Sequence, residues 1–153
     1  MLPDLPFDIA HVLIDGTWRA TAQTLPLTNP STGEEIGRIA RASTADVDAA
    51  VDAARGALDG AWGAMTAAER GRILARIGQL VLENVETLTQ LEALDVGKPL
   101  KQARADAIAL ARYCEFYGGA ADKVHGATIP YLDGYTVYTL REPHGVTGHI
   151  IPW

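Results

Sequence analysis

The first forty residues show short hydrophobic runs separated by turn residues, a pattern typical of strands joined by tight turns. Residues 12–14 (Val-Leu-Ile) and 17–18 (Thr-Trp) flank Asp15-Gly16, a pair that accepts the positive φ angles of a hairpin turn. Residues 29–33 (Asn-Pro-Ser-Thr-Gly) predict a second turn, and the alternation in residues 36–40 predicts a strand after it. The chain therefore opens with short strands and turns.

A helical period replaces this alternation from Ser43 onward. Ser43 or Thr44 can cap a first helix, in which apolar residues recur at spacings of four and three. The capping box Thr66-Ala-Ala-Glu69 begins a second helix. Its apolar stripe comprises Ile73, Leu74, Ile77, Leu80 and Val81. Three arginines lie mainly off this stripe and predict a solvated face rather than an anion site: Arg70, Arg72 and Arg76.

Two further helices are predicted after residue 83. One starts near Asn84 and ends at Gly97, because glycine accepts a left-handed conformation and Pro99 cannot continue the helix. Pro99 suits the first turn of the next helix. Alanines alternate with period two over residues 103–111, as in a strand, but alanine favours helices and disfavours strands. We predict a helix here that loosens at Gly118-Gly119.

Strand signals return near the end of the chain. Residues 129–132 and 135–140 flank Asp133-Gly134 and predict another hairpin, which Arg141-Glu142-Pro143 ends. Small and β-branched residues predominate in 146–151 and predict a buried strand, which has nothing left to pair with. The predicted order is strands, four helices, a hairpin and the first strand of a further sheet.

Composition and charge narrow the class of protein. The 153 residues are 48% hydrophobic and 21% charged, which is typical of a globular chain. The net charge of −6 gives no cationic surplus for phosphates, so nucleic acid is not an expected partner. No apolar run approaches the roughly 18 residues of a membrane span, and the acidic N-terminus does not resemble a signal peptide. We expect a cytoplasmic protein without a membrane partner.

The catalytic inventory is thin. The four histidines lack the spacing of metal ligands, and the single cysteine, Cys114, predicts a small buried hydrophobe rather than a nucleophile. Gly97-Lys98 lacks the upstream glycine of a phosphate loop, and residues 145–148 lack the third glycine of a dinucleotide fingerprint. We therefore predict no catalytic residue in this chain.

Seven short sequence segments occur along residues 12–153. No single segment is specific, but their order and spacing together match those of a known family. They are residues 29–34 (NPSTGE), 45–55 (ADVDAAVDAAR), 68–74 (AERGRIL), 91–100 (LEALDVGKPL), 121–123 (ADK), 141–143 (REP) and 145–153 (GVTGHIIPW). Together they resemble the N-terminal part of the NAD(P)-dependent aldehyde dehydrogenase superfamily. The resemblance implies that this chain is an N-terminal fragment of an enzyme that oxidises an aldehyde to a carboxylic acid.

The resemblance also implies a fold and its division. We expect an α/β fold with β-hairpins, four helices, an oligomerisation hairpin and the first strand of a Rossmann-like sheet. Residues 1–126 would form the N-terminal part of the cofactor-binding domain, 127–144 the oligomerisation hairpin, and 145–153 the truncated first strand of the nucleotide-binding sheet. A homodimer or homotetramer would form through the strand from Tyr135 to Glu142.

Site residues follow from the same resemblance. Ligands of open α/β sheets bind beyond the carboxyl ends of the strands. Residues at that point of this chain would form one wall of a site for NAD or NADP: Ile150, Ile151, Pro152 and Trp153. A monovalent cation, K⁺ or Na⁺, would bind the Asp95 carboxylate and the backbone carbonyls of Leu27 and Thr28; the alternative is that Asp95 only lies near the end of its helix. The family's cysteine nucleophile and glutamate base would lie beyond residue 153, so the chain alone is predicted to be inactive.

The sequence is also compatible with a different class of protein. The rival hypothesis is a complete, non-enzymatic helical adaptor that uses its strand edges to bind a partner. Ala120 stands where many family members carry tryptophan, and His144 and His149 replace residues that are more often apolar or amide. These departures leave the aldehyde undetermined, and the choice between NAD and NADP depends on residues further on.

Overall fold

A computed structural model describes residues 2–151, with strands first, helices in the middle and a short hairpin last. This mixture of small sheets and helices confirms the predicted α/β class. The strands are β1 (His11–Ile14), β2 (Thr17–Ala20), β3 (Gln23–Thr28), β4 (Glu35–Arg41), β5 (Thr128–Ile129) and β6 (Val137–Tyr138). The helices are α1 (Thr44–Asp59), α2 (Ala61–Ala64), α3 (Ala67–Glu83), α4 (Val85–Val96), α5 (Leu100–Ala120) and a 3₁₀ turn (Ala121–Lys123).

The two N-terminal hairpins follow the predicted turns. β1 and β2 pair antiparallel with Ile14 opposite Thr17, so Asp15 and Gly16 are the only residues of the loop. Both have positive φ, 51° and 68°, as the tight turn requires. β3 and β4 pair around the second turn, where the Asn29 carbonyl accepts a 2.8 Å hydrogen bond from the Gly33 amide. Local turn chemistry therefore sets both hairpins.

Capping residues define the starts of α1 and α3. Ser43, rather than Thr44, caps α1 and forms a reciprocal pair with Asp46, whose carboxylate accepts a 2.7 Å hydrogen bond from the Ser43 amide. Thr66 and Glu69 form the predicted capping box of α3, with the same 2.7 Å distance. Each box satisfies amides that have no partner within the helix.

The predicted number of four helices is wrong for the described residues, because the one-turn helix α2 lies between α1 and α3. A four-residue helix is too short to show a hydrophobic period in the sequence. The loosening predicted at Gly118-Gly119 is also wrong, since α5 continues to Ala120. Pro99 is the N-cap of α5 and not part of its first turn, while Gly97 ends α4 with φ of 70°, as predicted.

Helices α3 and α5 pack through small residues. Gly71 and Gly78 are the buried residues of α3, and a Cβ added at Gly78 would lie 2.9 Å from the Ala111 carbonyl oxygen. The buried residues of α5 are Ala103, Ala107, Ala111 and Cys114. Three residues of the apolar stripe of α3 lie largely outside this contact: Ile73, Ile77 and Leu80 are about two-fifths exposed, whereas Leu74 and Val81 are half-buried. The backbones approach too closely for long side chains, so glycine occupies the seam.

The C-terminal hairpin is shorter than predicted. β5 and β6 have two residues each, with Ile129 opposite Val137, and residues 130–136 form the connection. Asp133-Gly134 still forms the turn, since the Tyr135 amide donates to the Leu132 carbonyl at 3.2 Å and Gly134 has φ of 85°. High β propensity in residues 135–140 does not produce a longer ladder, because β propensity needs packing on a sheet face to take effect.

The predicted terminal strand is absent from the described residues. Residues 145–151 contain no strand, and Ile150 and Ile151 are 101% and 71% exposed rather than buried. A strand needs a neighbour to pair its backbone amides and carbonyls, and no such neighbour is present within residues 2–151. Pro152 and Trp153 lie outside the described residues. No helix of the described chain combines the length and apolarity that crossing a membrane requires.

Candidate functional site

The predicted cofactor residues are not assembled into a site by the described chain. Ile150 and Ile151 lie in an irregular segment and present their apolar side chains to solvent. Pro152 and Trp153, predicted for the same wall, fall outside the described range. The exposed isoleucines can provide apolar surface for a planar ring, but they carry no charge or side-chain donor for a phosphate.

The predicted cation ligands come from two elements whose ends approach each other. Leu27 and Thr28 end β3, where the register of the β3–β4 pair shifts between these two residues. The chain then enters the turn that contains Pro30, and a Cβ at Gly97 would lie 3.1 Å from the Pro30 ring. Asp95, exposed near the end of α4, therefore belongs to the helix end that packs on this turn. Among the described residues, no three His, Cys, Asp or Glu side chains cluster as metal ligands.

An ion-pair cluster joins α4 to α5 and was not identified from the sequence. The Lys98 ammonium donates to the carboxylates of Glu92 and Asp106, the second at 2.7 Å, and Gln102 donates to Asp106 at 2.9 Å. Hydrogen bonds from Lys98 lower the pKa of Asp106, and those to Asp106 and Glu92 raise the pKa of Lys98. A lysine at the junction of two predicted helices was the only signal in the sequence. Because its ammonium pairs with carboxylates from both helices, Lys98 belongs to a structural clamp and not to a phosphate loop.

A cleft of about 460 Å³ lies where α2, the start of α3 and residues 141–143 meet. Arg70 on its wall is half-buried, lies 5.9 Å from the centre of the Trp62 ring, and donates to the Met65 carbonyl. The prediction of a solvated arginine face is therefore wrong for Arg70. It holds for Arg72 and Arg76, which are exposed. The sequence signal for this contact was Trp62, four residues before the capping box, because an aromatic ring attracts a nearby guanidinium.

Neither the cysteine nor the histidines provide reactive chemistry in the described structure. Cys114 is 6% exposed and lies in the α3–α5 seam, as predicted for a small buried hydrophobe. His11 Nδ1 lies 3.3 Å from the Asp8 carboxylate, and His149 contacts the Thr147 hydroxyl at 3.1 Å. These are separate local contacts.

Comparison with known proteins gives a consistent result over nearly the whole chain. The model of the aldehyde dehydrogenase family matches residues 18–153. Aldehyde dehydrogenase family 2 member B4, a mitochondrial protein of Arabidopsis thaliana, is 43% identical over 99% of this chain. This alignment covers 29% of the Arabidopsis protein, so the chain spans less than a third of its relative's length.

Solved structures agree with the sequence comparison. A Burkholderia cenocepacia protein assigned to the aldehyde dehydrogenases superposes with a TM-score of 0.83 and 56% identity, over 88% of this chain and 29% of the other. Aldehyde dehydrogenase from Bacillus cereus in complex with NAD⁺ superposes with a TM-score of 0.83 and 37% identity, over 90% of this chain and 28% of the other. The similarity therefore extends to the three-dimensional arrangement of the described elements.

Proposed function

Since the chain belongs to the aldehyde dehydrogenase family, we propose that it is the N-terminal part of a longer enzyme that oxidises an aldehyde to a carboxylic acid with NAD or NADP. The family match over residues 18–153 carries the proposal. The short coverage of the Arabidopsis relative supports a longer parent protein. The helical adaptor hypothesis has no comparable support, because the relatives named above are all aldehyde dehydrogenases.

The chemistry assigns different tasks to this chain and to the rest of the enzyme. When bound, the nicotinamide cofactor supplies the hydride acceptor. Cys114 cannot serve as the nucleophile, because it is buried between two helices where an aldehyde carbon cannot reach it. This chain contributes apolar surface to the cofactor site through residues 150–153, and the thiolate and the general base come from beyond residue 153.

Activity measurements test the proposal directly. The reading frame should be extended past Trp153, the longer protein purified, and reduced nicotinamide measured with aliphatic and aromatic aldehydes and with each cofactor. We expect aldehyde-dependent reduction by the longer protein and none by the 153-residue chain. Turnover by the 153 residues alone, or a longer protein without any aldehyde-dependent reduction, would contradict the proposal.

A monovalent cation site at Asp95 is a second element of the proposal. Hard cations prefer oxygen ligands, and the negative end of the α4 dipole favours a cation beside Asp95. The close approach of Gly97 to Pro30 supports it, because it brings this helix end to the turn after β3. Potassium should raise the thermal midpoint of the longer protein but not of its Asp95→Ala variant. Asp59→Ala, which removes an acid at the end of α1, should retain the potassium effect.

We also propose that the longer protein is a homodimer or homotetramer that assembles through residues 135–142. The hairpin is exposed and short, with Tyr135 and Tyr138 each more than half exposed. An exposed edge of this kind can pair with a neighbouring strand.

A further inference from the structure

Helix α3 carries two chemically different sides. Gly71 and Gly78 lie on the side that contacts α5. Ile73, Ile77 and Leu80 recur at spacings of four and three, so they share one face, and their positions around the helix direct that face away from the two glycines. We call these three residues the outer face of α3. Their spacing is that of a core-facing stripe in a globular protein.

The outer face is not covered by the described chain. Ile73, Ile77 and Leu80 are 39%, 44% and 41% exposed. The elements that pack most closely on α3 are α5 and the 3₁₀ turn, and Gly71 meets both at Gly118 and Ala121. A row of large apolar side chains that remains partly exposed in the middle of a helix indicates an interaction surface.

The total surface area indicates the size of the missing cover. The chain exposes 11480 Å². A compact monomer of 16.3 kDa exposes about 7,500 Å², so about 4,000 Å² is in excess. A second copy that forms an interface of ordinary size covers only about 800 Å² on each partner. Covering the excess area therefore needs a much larger partner surface than a second copy provides. The rest of a longer subunit could provide it, because the Arabidopsis relative is more than three times as long as this chain.

We propose that the outer face of α3 is an internal docking surface, covered by the polypeptide that follows residue 153 in the same subunit. This inference rests on the proposed function to the extent that both require a longer chain. The isoleucines then complete a core between the helical layer and the following segment, while the glycines hold α3 on α5. Burial of the three side chains from solvent gives the longer protein stability that the 153 residues lack.

A pair of charge-matched variants in the longer protein tests this assignment. Ile77→Asp places a carboxylate on the outer face, and Gln79→Asp places one two residues away on the exposed side of the same helix turn. Both variants change helix propensity and helix-dipole interaction similarly, so the difference between them reports burial. Ile77→Asp should lower the thermal midpoint by at least about 5 °C or prevent folding, whereas Gln79→Asp should leave the midpoint close to that of the parent.

Hydroxyl-radical footprinting of the unmodified longer protein provides a readout that does not depend on a variant folding. Ile73, Ile77 and Leu80 are about two-fifths exposed in the 153-residue chain, and they should be oxidised severalfold more slowly in the native longer protein than in that folded chain, at every protein concentration. Oxidation at the rate of the folded 153-residue chain, or equal midpoints for the two variants, would overturn the proposal. Protection that disappears on dilution would also overturn it, because a second copy would then be the cover. Dehydrogenase activity of the same preparation distinguishes failure of the proposed function from failure of this surface.

Discussion

At the scale of single residues, glycine controls how closely α3 and α5 approach. A Cβ added at Gly71 would lie 2.3 Å from the Gly118 carbonyl oxygen and 3.2 Å from the Ala121 side chain. The first distance is too short for any real contact, so the helices would have to move apart. Gly56, inside α1, has nothing within 4 Å of an added Cβ. The sequence alone does not distinguish these two helical glycines, because the difference lies in a partner helix far along the chain.

The two glycines should therefore respond oppositely to alanine. Alanine improves helix propensity by about 1 kcal/mol at either position. At Gly71 overpacking opposes this gain and costs roughly 1–3 kcal/mol, so we expect Gly71→Ala to lower the free energy of unfolding. Gly56→Ala should raise it by up to about 1 kcal/mol. Urea unfolding of the 153-residue chain measures both, and a Gly71→Ala protein more stable than its parent would show that the seam tolerates separation.

At the scale of elements, local chemistry made most starts and turns predictable. The capping boxes at Ser43 and Thr66 and the turns at Asp15-Gly16 and Asp133-Gly134 depend on neighbours within a few residues. The length of the last hairpin depends on what lies beside it, and residues 135–140 have only β5 to pair with in the described structure. The Lys98 clamp was also beyond sequence reasoning, because its carboxylates come from two different helices.

The register of this hairpin identifies the residue that tests oligomerisation through an edge strand. The Thr139 amide donates to the Ala127 carbonyl at 2.9 Å, so the alternation of an antiparallel ladder directs the amides of Val137 and Thr139 inward and that of Tyr138 outward. Proline at Tyr138 keeps the hairpin's own bonds and removes the outward donor. In the longer protein, Tyr138→Pro should lower the mass measured by light scattering to that of a smaller species. Tyr138→Ala, which keeps the amide, should retain the oligomer, and an unchanged mass for the proline variant would exclude this strand as the interface.

At the scale of the whole molecule, burial depends on partners that a local pattern does not reveal. Periodicity indicated that Ile73 and Ile77 lie on one apolar stripe, and this is where they lie. It did not indicate that glycines would face α5 or that Ile73 and Ile77 would remain exposed in the described chain. The strand predicted for residues 146–151 illustrates the same limit, since its composition suits a sheet centre while no neighbouring strand is present within residues 2–151.

The large exposed area predicts how the 153-residue chain unfolds on its own. An unfolded chain of 16.3 kDa exposes about 23,600 Å², so a compact monomer of this mass buries about 16,000 Å² on folding. This chain retains 11480 Å² when folded and thus buries only about three quarters of that area. Because the urea m-value is roughly proportional to the area exposed on unfolding, we expect the m-value to be about three quarters of that of a compact protein of equal length. The folded chain should also bind a hydrophobic fluorescent dye that the longer protein does not bind. A full-sized m-value without dye binding would show that these 153 residues cover their own apolar faces in solution.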